Sequence, residues 1–314
     1  MYDSMAIMRC AAIQLEAVPA DVDANLAATE RLVEQAAAAG AKTIALPEFF
    51  TTGIGFWPEL ANAALSPDGK ATELLLSLAR RHSVMIGGSL LVRDTDANVR
   101  NAYLVVTADG VAGRHDKDLP TMWENAFYIG GHDDGVIKVG TLTVGAAVCW
   151  ELMRTQTVRR LRGRIDLAMT GSGWWSIPSW WPTASFRRME ARNASTARRA
   201  AASFATYVGA PVLHAAHAGT LQCRMPWLPL DYAGRFEGGT MIAAADGTVL
   251  ACREQTEGEG IIVADIEVCR RTPIADVPKG FWLHPRGTLP AAVWHYQRLH
   301  GRRYYHRHVA PSAS

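Results

Sequence analysis

The sequence predicts an α/β protein built on a mixed β-sheet. Short apolar runs, typical of buried strands, alternate with segments whose apolar residues recur at helical spacing. Asp-Gly turns at 108–110 and 245–247 each separate two strand-like runs, which predicts β-hairpins and therefore antiparallel strands. Alternating strands and helices interrupted by hairpins indicate a sheet that is parallel in part and antiparallel in part.

Each element follows from a local pattern. The helix predicted over 25–39 has its apolar residues, among them Leu26, Leu32 and Val33, on one face, and Gly40 ends it. An Ala-rich face marks the long helix over 183–207. The other predicted helices are 70–82 and 155–162. Strands are predicted at 7–15, 42–46, 84–92, 102–107, 141–148, 165–170, 211–216 and 261–268, with a second hairpin over 241–252.

Composition limits the class of protein. The chain has 314 residues, of which 49% are hydrophobic and 20% charged, with a formal net charge of +2. We therefore predict a single domain over 1–314 and no nucleic-acid or membrane partner, since there is no excess of basic charge. No apolar run approaches the roughly 20 residues that cross a bilayer. The last segment, 294–314, is basic and aromatic, and we expect either a solvated tail or an intersubunit arm.

Cysteine usage predicts a reduced, cytoplasmic protein. The five cysteines are widely spaced, and no CxxC pair suggests a disulfide framework or a zinc site. The N-terminus carries an acidic residue where a signal peptide needs basic charge, so no export signal is predicted. His214 and His217 form a pair without a nearby third ligand, and we predict no metal and no cofactor.

Three ionisable residues each follow an apolar strand. Glu48 follows the strand at 42–46, Lys117 follows the strand after the first hairpin, and Cys149 ends the strand at 141–148. Active sites of open α/β sheets form at the carboxyl ends of strands, so these side chains are expected to converge. A carboxylate can take the proton of a thiol, and an ammonium can stabilise an oxyanion. Alone, a cysteine after a strand is more often a small core residue.

The segments around these residues resemble the three motifs of the nitrilase superfamily of carbon–nitrogen hydrolases. They are LPEFF at 46–50, RHDKDLPTMWE at 114–124 and CWE at 149–151. The resemblance implies a four-layer α-β-β-α sandwich, usually dimeric, with Glu48 as general base, Lys117 as oxyanion-stabilising residue and Cys149 as nucleophile. It further implies that Glu124 orients the lysine or the substrate and that the Trp150 backbone N–H is a second oxyanion donor.

The motifs leave the substrate open between an amide and a nitrile. The KDLPTMWE segment and CWE are more similar to true nitrilases, whereas the downstream GSGWW at 171–175 and the Arg- and Ala-rich helix are less so. Amide hydrolysis is the commoner superfamily activity and is favoured here. Four tryptophans, Trp174, Trp175, Trp180 and Trp181, lie close together around Gly and Pro, and we expect Trp174, Trp175 and His214 to line a substrate pocket.

Other classes of function fit less well. No serine pair accompanies Lys117 in a Gly- and Ser-rich run, which argues against the serine-based amidases. Acyl transfer to an amine is a second reaction open to the superfamily, but its membrane-bound acyltransferases need transmembrane helices that this sequence lacks. A non-catalytic scaffold protein has no reason to keep all three of the ionisable residues.

Overall fold

The computed structural model describes residues 6–176, 183–285 and 288–310. The helices are Val22–Ala38 (α1), Lys70–His82 (α2), Thr155–Leu161 (α3), Ala184–Val208 (α4) and Thr288–His308 (α5). The strands are Ala6–Leu15 (β1), Thr43–Ala45 (β2), Met85–Arg93 (β3), Val99–Thr107 (β4), Gly110–Asp116 (β5), Val136–Val139 (β6), Leu142–Val148 (β7), Leu167–Ser172 (β8), Val212–His217 (β9), Thr220–Arg224 (β10), Asp231–Arg235 (β11), Gly238–Ala243 (β12), Val249–Glu254 (β13) and Gly260–Val268 (β14).

The main sheet is mixed, as the sequence predicts. Its strands run in the order β5-β4-β3-β2-β1-β9-β8-β7-β6. Neighbours are parallel from β3 through β2, β1, β9 and β8 to β7, whereas the β3–β4, β4–β5 and β6–β7 pairs are antiparallel. The hairpin of β12 and β13 adds to β9, and β14 lies antiparallel to β1. Both Asp-Gly hairpins are therefore confirmed.

The sheet folds so that its two halves face each other. A Cβ on Gly87 of β3 would lie 2.8 Å from the Met169 side chain of β8, which shows how closely the halves approach. Helices α1 and α2 bury Leu32 and Leu75 on the outer face of the first half, and α3 and α4 bury Val158 and Phe204 on the second. The four-layer α-β-β-α sandwich is confirmed.

Most predicted boundaries agree with the structure to within three residues, but several elements were missed. Strands β6, β10 and β11 are short and partly exposed, so they lack a buried apolar run. Within the described ranges, no helix is both long and apolar enough to cross a membrane.

The C-terminal segment forms helix α5, which packs on its own chain rather than lying free in solvent. Trp294 and Tyr305 are buried, and the Tyr305 hydroxyl accepts a hydrogen bond of 3.0 Å from the Val99 N–H. Gly301 lies against Asn125, where an added Cβ would come within 2.9 Å. That 294–314 also acts as an intersubunit arm, and that 1–314 form one domain, stay predictions.

Candidate active site

Three strands of the sheet bring the predicted residues to one edge. Glu48 follows β2, Cys149 directly follows β7, and these strands are joined through parallel pairs by β1, β9 and β8. Lys117 directly follows β5, which runs in the same direction as β3 after two antiparallel steps. The carboxyl ends of all three strands therefore meet at the same edge of the sandwich, as expected for an α/β site.

Lys117 bridges two buried carboxylates. Its Nζ donates hydrogen bonds of 2.8 Å to Glu48 Oε1 and 2.6 Å to Glu124 Oε2. Glu124 is itself held by the Thr121 N–H at 3.0 Å and by the Tyr128 hydroxyl. Charge-assisted bonds of this kind are strong, and breaking a fully buried pair by removing one partner commonly costs about 3–5 kcal/mol. The structure thus places Glu124 with the trio.

The ammonium of Lys117 is stabilised by its two partners. Burial lowers the pKa of a lysine, but the Glu124 and Glu48 carboxylates outweigh that effect and raise the pKa well above its usual value. Lys117 therefore stays charged at neutral pH. A fixed positive charge shielded from water interacts strongly with any negative charge that develops beside it.

Glu48 is a carboxylate suited to proton transfer near neutrality. Burial raises its pKa to about 7, an effect that Lys117 opposes and Glu124 reinforces. Oε1 accepts from Lys117 and from Asn101 Nδ2 at 2.9 Å, whereas Oε2 is buried and meets no partner at hydrogen-bonding geometry within the described residues. The Cys149 thiol lies close enough to the Glu48 carboxylate to lower its pKa. Oε2 is thus the oxygen available to accept a proton.

Cys149 sits in a strained turn immediately after β7. Its φ is +54°, in the left-handed region that a residue with a Cβ adopts at a cost of roughly 1–3 kcal/mol. It begins a 3-10 helix, Cys149–Met153, of which Trp150 is the second residue. Strain of this kind persists only where the surrounding structure imposes it, and it is common at functional sites.

The Cys149 thiol is protonated at rest. Burial raises its pKa well above the usual value, the Glu48 charge raises it further, and Lys117 and the Gly173 N–H act in the opposite direction. A thiol with a raised pKa needs a base at the moment of attack, because the thiolate is the reactive form. Glu48 is a carboxylate close enough to the thiol for its charge to raise the thiol pKa.

Two close backbone contacts hold Glu48 in place. A Cβ on Gly171, at the end of β8, would lie 2.6 Å from the Glu48 nitrogen, so only glycine fits there. His217 Nε2 lies 2.6 Å from the Glu48 carbonyl oxygen and its Nδ1 lies 3.3 Å from the Leu15 carbonyl oxygen. Burial lowers the His217 pKa to about 4, so the ring is neutral and the shorter contact indicates that Nε2 carries the proton.

A second buried ionic network joins the lysine and cysteine segments. Glu151 Oε2 lies 2.9 Å from His115 Nε2 and accepts from the Val148 N–H at 2.8 Å. The other oxygen, Oε1, accepts from Arg160 at 3.1 Å and from the Asp118 N–H at 3.3 Å. Glu151 therefore connects the residues on either side of Lys117 with the residue before Cys149, and it fixes the two segments relative to each other.

The residues expected to line a substrate pocket lie in different surroundings. His214 is buried, and its two ring nitrogens lie 2.8 Å and 3.0 Å from the hydroxyls of Thr170 and Ser172. Trp174 is buried in the same core cluster as Cys149. Trp175 is half-buried and donates its indole N–H to the Ile54 carbonyl at 3.0 Å. Their substrate-lining roles stay predictions, and Trp180 and Trp181 lie outside the described residues.

Trp175 belongs to a stack of aromatic rings. Its ring centroid is 4.9 Å from that of Trp123 and 4.9 Å from that of Tyr232, on β11. Trp123 immediately precedes Glu124, so the stack adjoins the ionic cluster along the chain. Trp123 and Tyr232 were not recognised from the sequence because they are distant from the downstream tryptophan-rich segment.

Removing the Asn101 amide should shift the pH dependence of turnover. Only ionised Glu48 accepts a proton, so activity is expected to fall as the pH drops through about 7. Asn101→Ala deletes a hydrogen bond to the ionised form, which raises the Glu48 pKa and moves the acid limb of kcat/KM upward by up to about one unit.

The control for this shift is Asn62→Ala, which changes an exposed asparagine and should leave the acid limb in place. The measured quantity is the midpoint pH of the acid limb rather than the absolute rate, because a partial loss of stability lowers the rate without shifting that midpoint. An Asn101→Ala profile that coincides with the unmodified protein would mean that Glu48 does not govern the limb.

The fold and this site define the class of protein: an α-β-β-α sandwich with a buried Glu–Lys–Cys cluster at one sheet edge. The model of the carbon–nitrogen hydrolase family matches residues 9–275, and the chain belongs to that family. Among the described residues, no three His, Cys, Asp or Glu side chains form a group that could hold a metal ion.

Two sequence relatives are named nitrilases. An aliphatic nitrilase from Sinorhizobium fredii (strain HH103) is 31% identical over 180 residues, which cover 48% of this chain and 56% of that enzyme. An aliphatic nitrilase from Rhodococcus rhodochrous is 26% identical over 282 residues, covering 83% of this chain and 75% of that enzyme. The chain thus spans little more than half of the first relative.

A solved structure with the same fold is a mutant amidase from Nesterenkonia sp. AN1 that carries acrylamide, added by Michael addition, on its active-site cysteine. The superposition has a TM-score of 0.63 at 20% identity and covers 82% of this chain and 92% of that one. At this identity the likeness confirms the fold.

Proposed function

We propose that this protein is a cysteine-dependent hydrolase of non-peptide carbon–nitrogen bonds in small molecules, with an amide as the substrate. The observation that carries the proposal is the buried Lys117 ammonium held between two carboxylates, one of which keeps an unpartnered oxygen near the Cys149 thiol. Family membership supports it.

In the first half-reaction Glu48 takes the thiol proton as sulfur attacks the amide carbon. The resulting oxyanion is stabilised by Lys117 and by the Trp150 N–H. Glu48 then returns its proton to the amide nitrogen, the carbon–nitrogen bond breaks and ammonia leaves. A thioester on Cys149 remains, so the amide bond has been exchanged for a carbon–sulfur bond.

In the second half-reaction water replaces the sulfur. Glu48 takes a proton from the water as its oxygen attacks the thioester carbon, and the same two donors stabilise the new oxyanion. The carbon–sulfur bond then breaks, the carboxylic acid leaves and the sulfur recovers its proton. One water is consumed for each amide. The thiol, Glu48 and the water account for every proton transferred, so no cofactor is part of the proposal.

Nitrile hydrolysis is the second candidate, and the naming of both sequence relatives as nitrilases favours it. Attack on a nitrile carbon, with protonation of its nitrogen, gives a thioimidate. Water adds to that carbon, ammonia leaves and the same thioester forms, so a nitrile consumes two waters in all. Either route needs the same three side chains.

Matched substrates distinguish the two candidates. Ammonia release is measured with pairs that share an acyl group, such as propionamide with propionitrile and benzamide with benzonitrile. We expect the amides to have the higher kcat/KM. Faster release from the nitriles would replace the amide with the nitrile, and release from neither, over a broad panel that also includes carbamoyl compounds, would favour a non-catalytic scaffold role.

Acyl transfer is tested in the same assay, because an added amine then competes with water for the thioester. Hydroxylamine should yield some hydroxamate while hydrolysis continues in its absence. A product that forms only with the amine present would make the protein a transferase. A homodimeric or higher homo-oligomeric state and a reduced, cytoplasmic setting complete the proposal, and sedimentation of the purified chain tests the oligomeric state.

A further inference from the structure

A cavity of about 650 Å³ lies between helix α5 and the segment that follows Lys117. It adjoins the ionic cluster, because Tyr128, which donates to Glu124, is one of its lining residues. None of Glu48, Lys117 and Cys149 lines it. Its volume is in the range of roughly 300–1,000 Å³ that small-molecule sites occupy. Its lining combines two kinds of side chain, cationic and aromatic, which together indicate the class of ligand.

The cavity is lined by more positive than negative charge. Arg298 and Arg302, one turn apart on α5, both line it, and neither makes an ion pair or hydrogen bond with any residue in the described ranges. The imidazoles His132, His295 and His306 are also part of the lining.

Among the described residues of the lining, the one carboxylate is Asp118, and it is already neutralised. It makes an ion pair with Arg154, and its other oxygen accepts from Arg160 at 2.9 Å. The two guanidiniums of α5 therefore line the cavity without a counter-charge from the part of the chain that the structure describes. Burial and the like charge of Arg302 lower the pKa of Arg298, in keeping with a pair of cations that lacks an anion.

An aromatic wall completes the cavity. Phe281, Trp282 and Trp294 line it, with ring centroids 4.7 Å apart for Phe281–Trp282 and 5.7 Å apart for Trp282–Trp294. Trp150, the residue after Cys149, packs behind this wall at 5.5 Å from Trp282 and 5.7 Å from Trp294. A flat apolar ring of a ligand can pack against these aromatic side chains. An inorganic anion has no apolar surface and cannot make this contact.

We propose that this cavity is a binding site for a small carboxylate with a planar apolar body, distinct from the Glu–Lys–Cys site. The guanidiniums of Arg298 and Arg302 would take the carboxylate, since guanidinium matches its two oxygens geometrically. The ring of the ligand would lie against Trp282 and Trp294. Because the proposal uses none of the catalytic trio, it stands independently of the proposed function.

The test is isothermal titration of the full chain with benzoate, with benzyl alcohol as a neutral ligand of similar shape. We expect saturable binding of benzoate, little binding of benzyl alcohol, and weaker benzoate binding as salt is added. In the Arg298→Gln/Arg302→Gln variant the Kd for benzoate should rise about tenfold or more.

The matched control is Arg303→Gln/Arg307→Gln, which removes the same charge from exposed positions of the same helix and should leave the Kd unchanged. An Arg298→Lys/Arg302→Lys variant keeps both positive charges but loses the planar guanidinium groups. We expect its Kd for benzoate to lie between those of the unmodified chain and the double glutamine variant, and retained binding shows that the variant is folded. No benzoate binding, or equal binding by the unmodified chain and the double glutamine variant, would overturn the proposal.

Discussion

Replacing Cys149 with alanine is expected to abolish turnover while the fold persists. Water cannot replace the thiolate as the nucleophile that attacks the substrate. Loss of the nucleophile from a catalytic triad lowers kcat by at least about 10⁴-fold. The thiol is 3% exposed and uncharged at rest, so its removal should cost only about 1 kcal/mol of stability. The measurements are ammonia release and thermal unfolding of the purified variant.

Cys10→Ala provides the control, because Cys10 is equally buried but lies within β1, in the core. That variant should retain activity near the level of the unmodified protein. Residual turnover in Cys149→Ala at more than a few per cent, with the protein folded, would remove the sulfur from the mechanism.

Changing Glu48 to glutamine is expected to lower kcat by about 10²–10⁴-fold, the contribution typical of a general acid–base group. The amide keeps the size of the side chain and can still accept from Lys117, but it cannot take a proton from the thiol or from water. Both half-reactions should slow, since the same carboxylate serves each. Single-turnover experiments measure thioester formation and breakdown separately.

Glu30→Gln is the control, since it neutralises a surface carboxylate that pairs with Arg81. It should leave both half-reactions unchanged. If Glu48→Gln slowed only one half-reaction, a different group would act as the base in the other, and Glu124, which is bonded to Lys117, would be the first to examine.

The backbone of the fold and the central cluster were predictable because their signals are local. Apolar runs before Glu48 and Cys149, and the second strand of the first hairpin before Lys117, mark strands whose carboxyl ends meet. The salt bridge between Glu48 and Lys117 joins residues 69 positions apart. That convergence follows from sheet topology, which the alternation of strands, helices and hairpins limits strongly. Family motifs then singled out Glu124 as well.

The residues that tune the cluster could not be predicted in the same way. Asn101 lies inside strand β4, and Tyr128 is a buried aromatic residue like many others in the core. In the sequence, His217 stands out only as one of a pair of histidines in a possible metal site. Tyr128 is only four residues from Glu124, but no recognised motif includes it. Asn101 and His217 act on Glu48 through contacts across the fold, so their roles appear only when the distances are known. A single chain carries no local signal for such a contact.

Helix α5 was missed for a different reason. Its apolar residues are interrupted by histidines and arginines, so the segment reads as a basic tail rather than as an amphipathic helix. Its aromatic residues nevertheless pack on the protein, with Tyr305 buried and Trp294 against the ring of Trp150. Two of these cationic side chains, Arg298 and Arg302, line the proposed carboxylate site.

The central claim, that Cys149 forms a covalent acyl intermediate, is tested most directly by acid quenching during turnover and mapping of the digested peptides by mass spectrometry. The account predicts a mass increase equal to the acyl group of the substrate on the peptide that contains Cys149, absent when that residue is alanine. Steady turnover with an unmodified Cys149 peptide, or with the acyl group on a different cysteine, would contradict it.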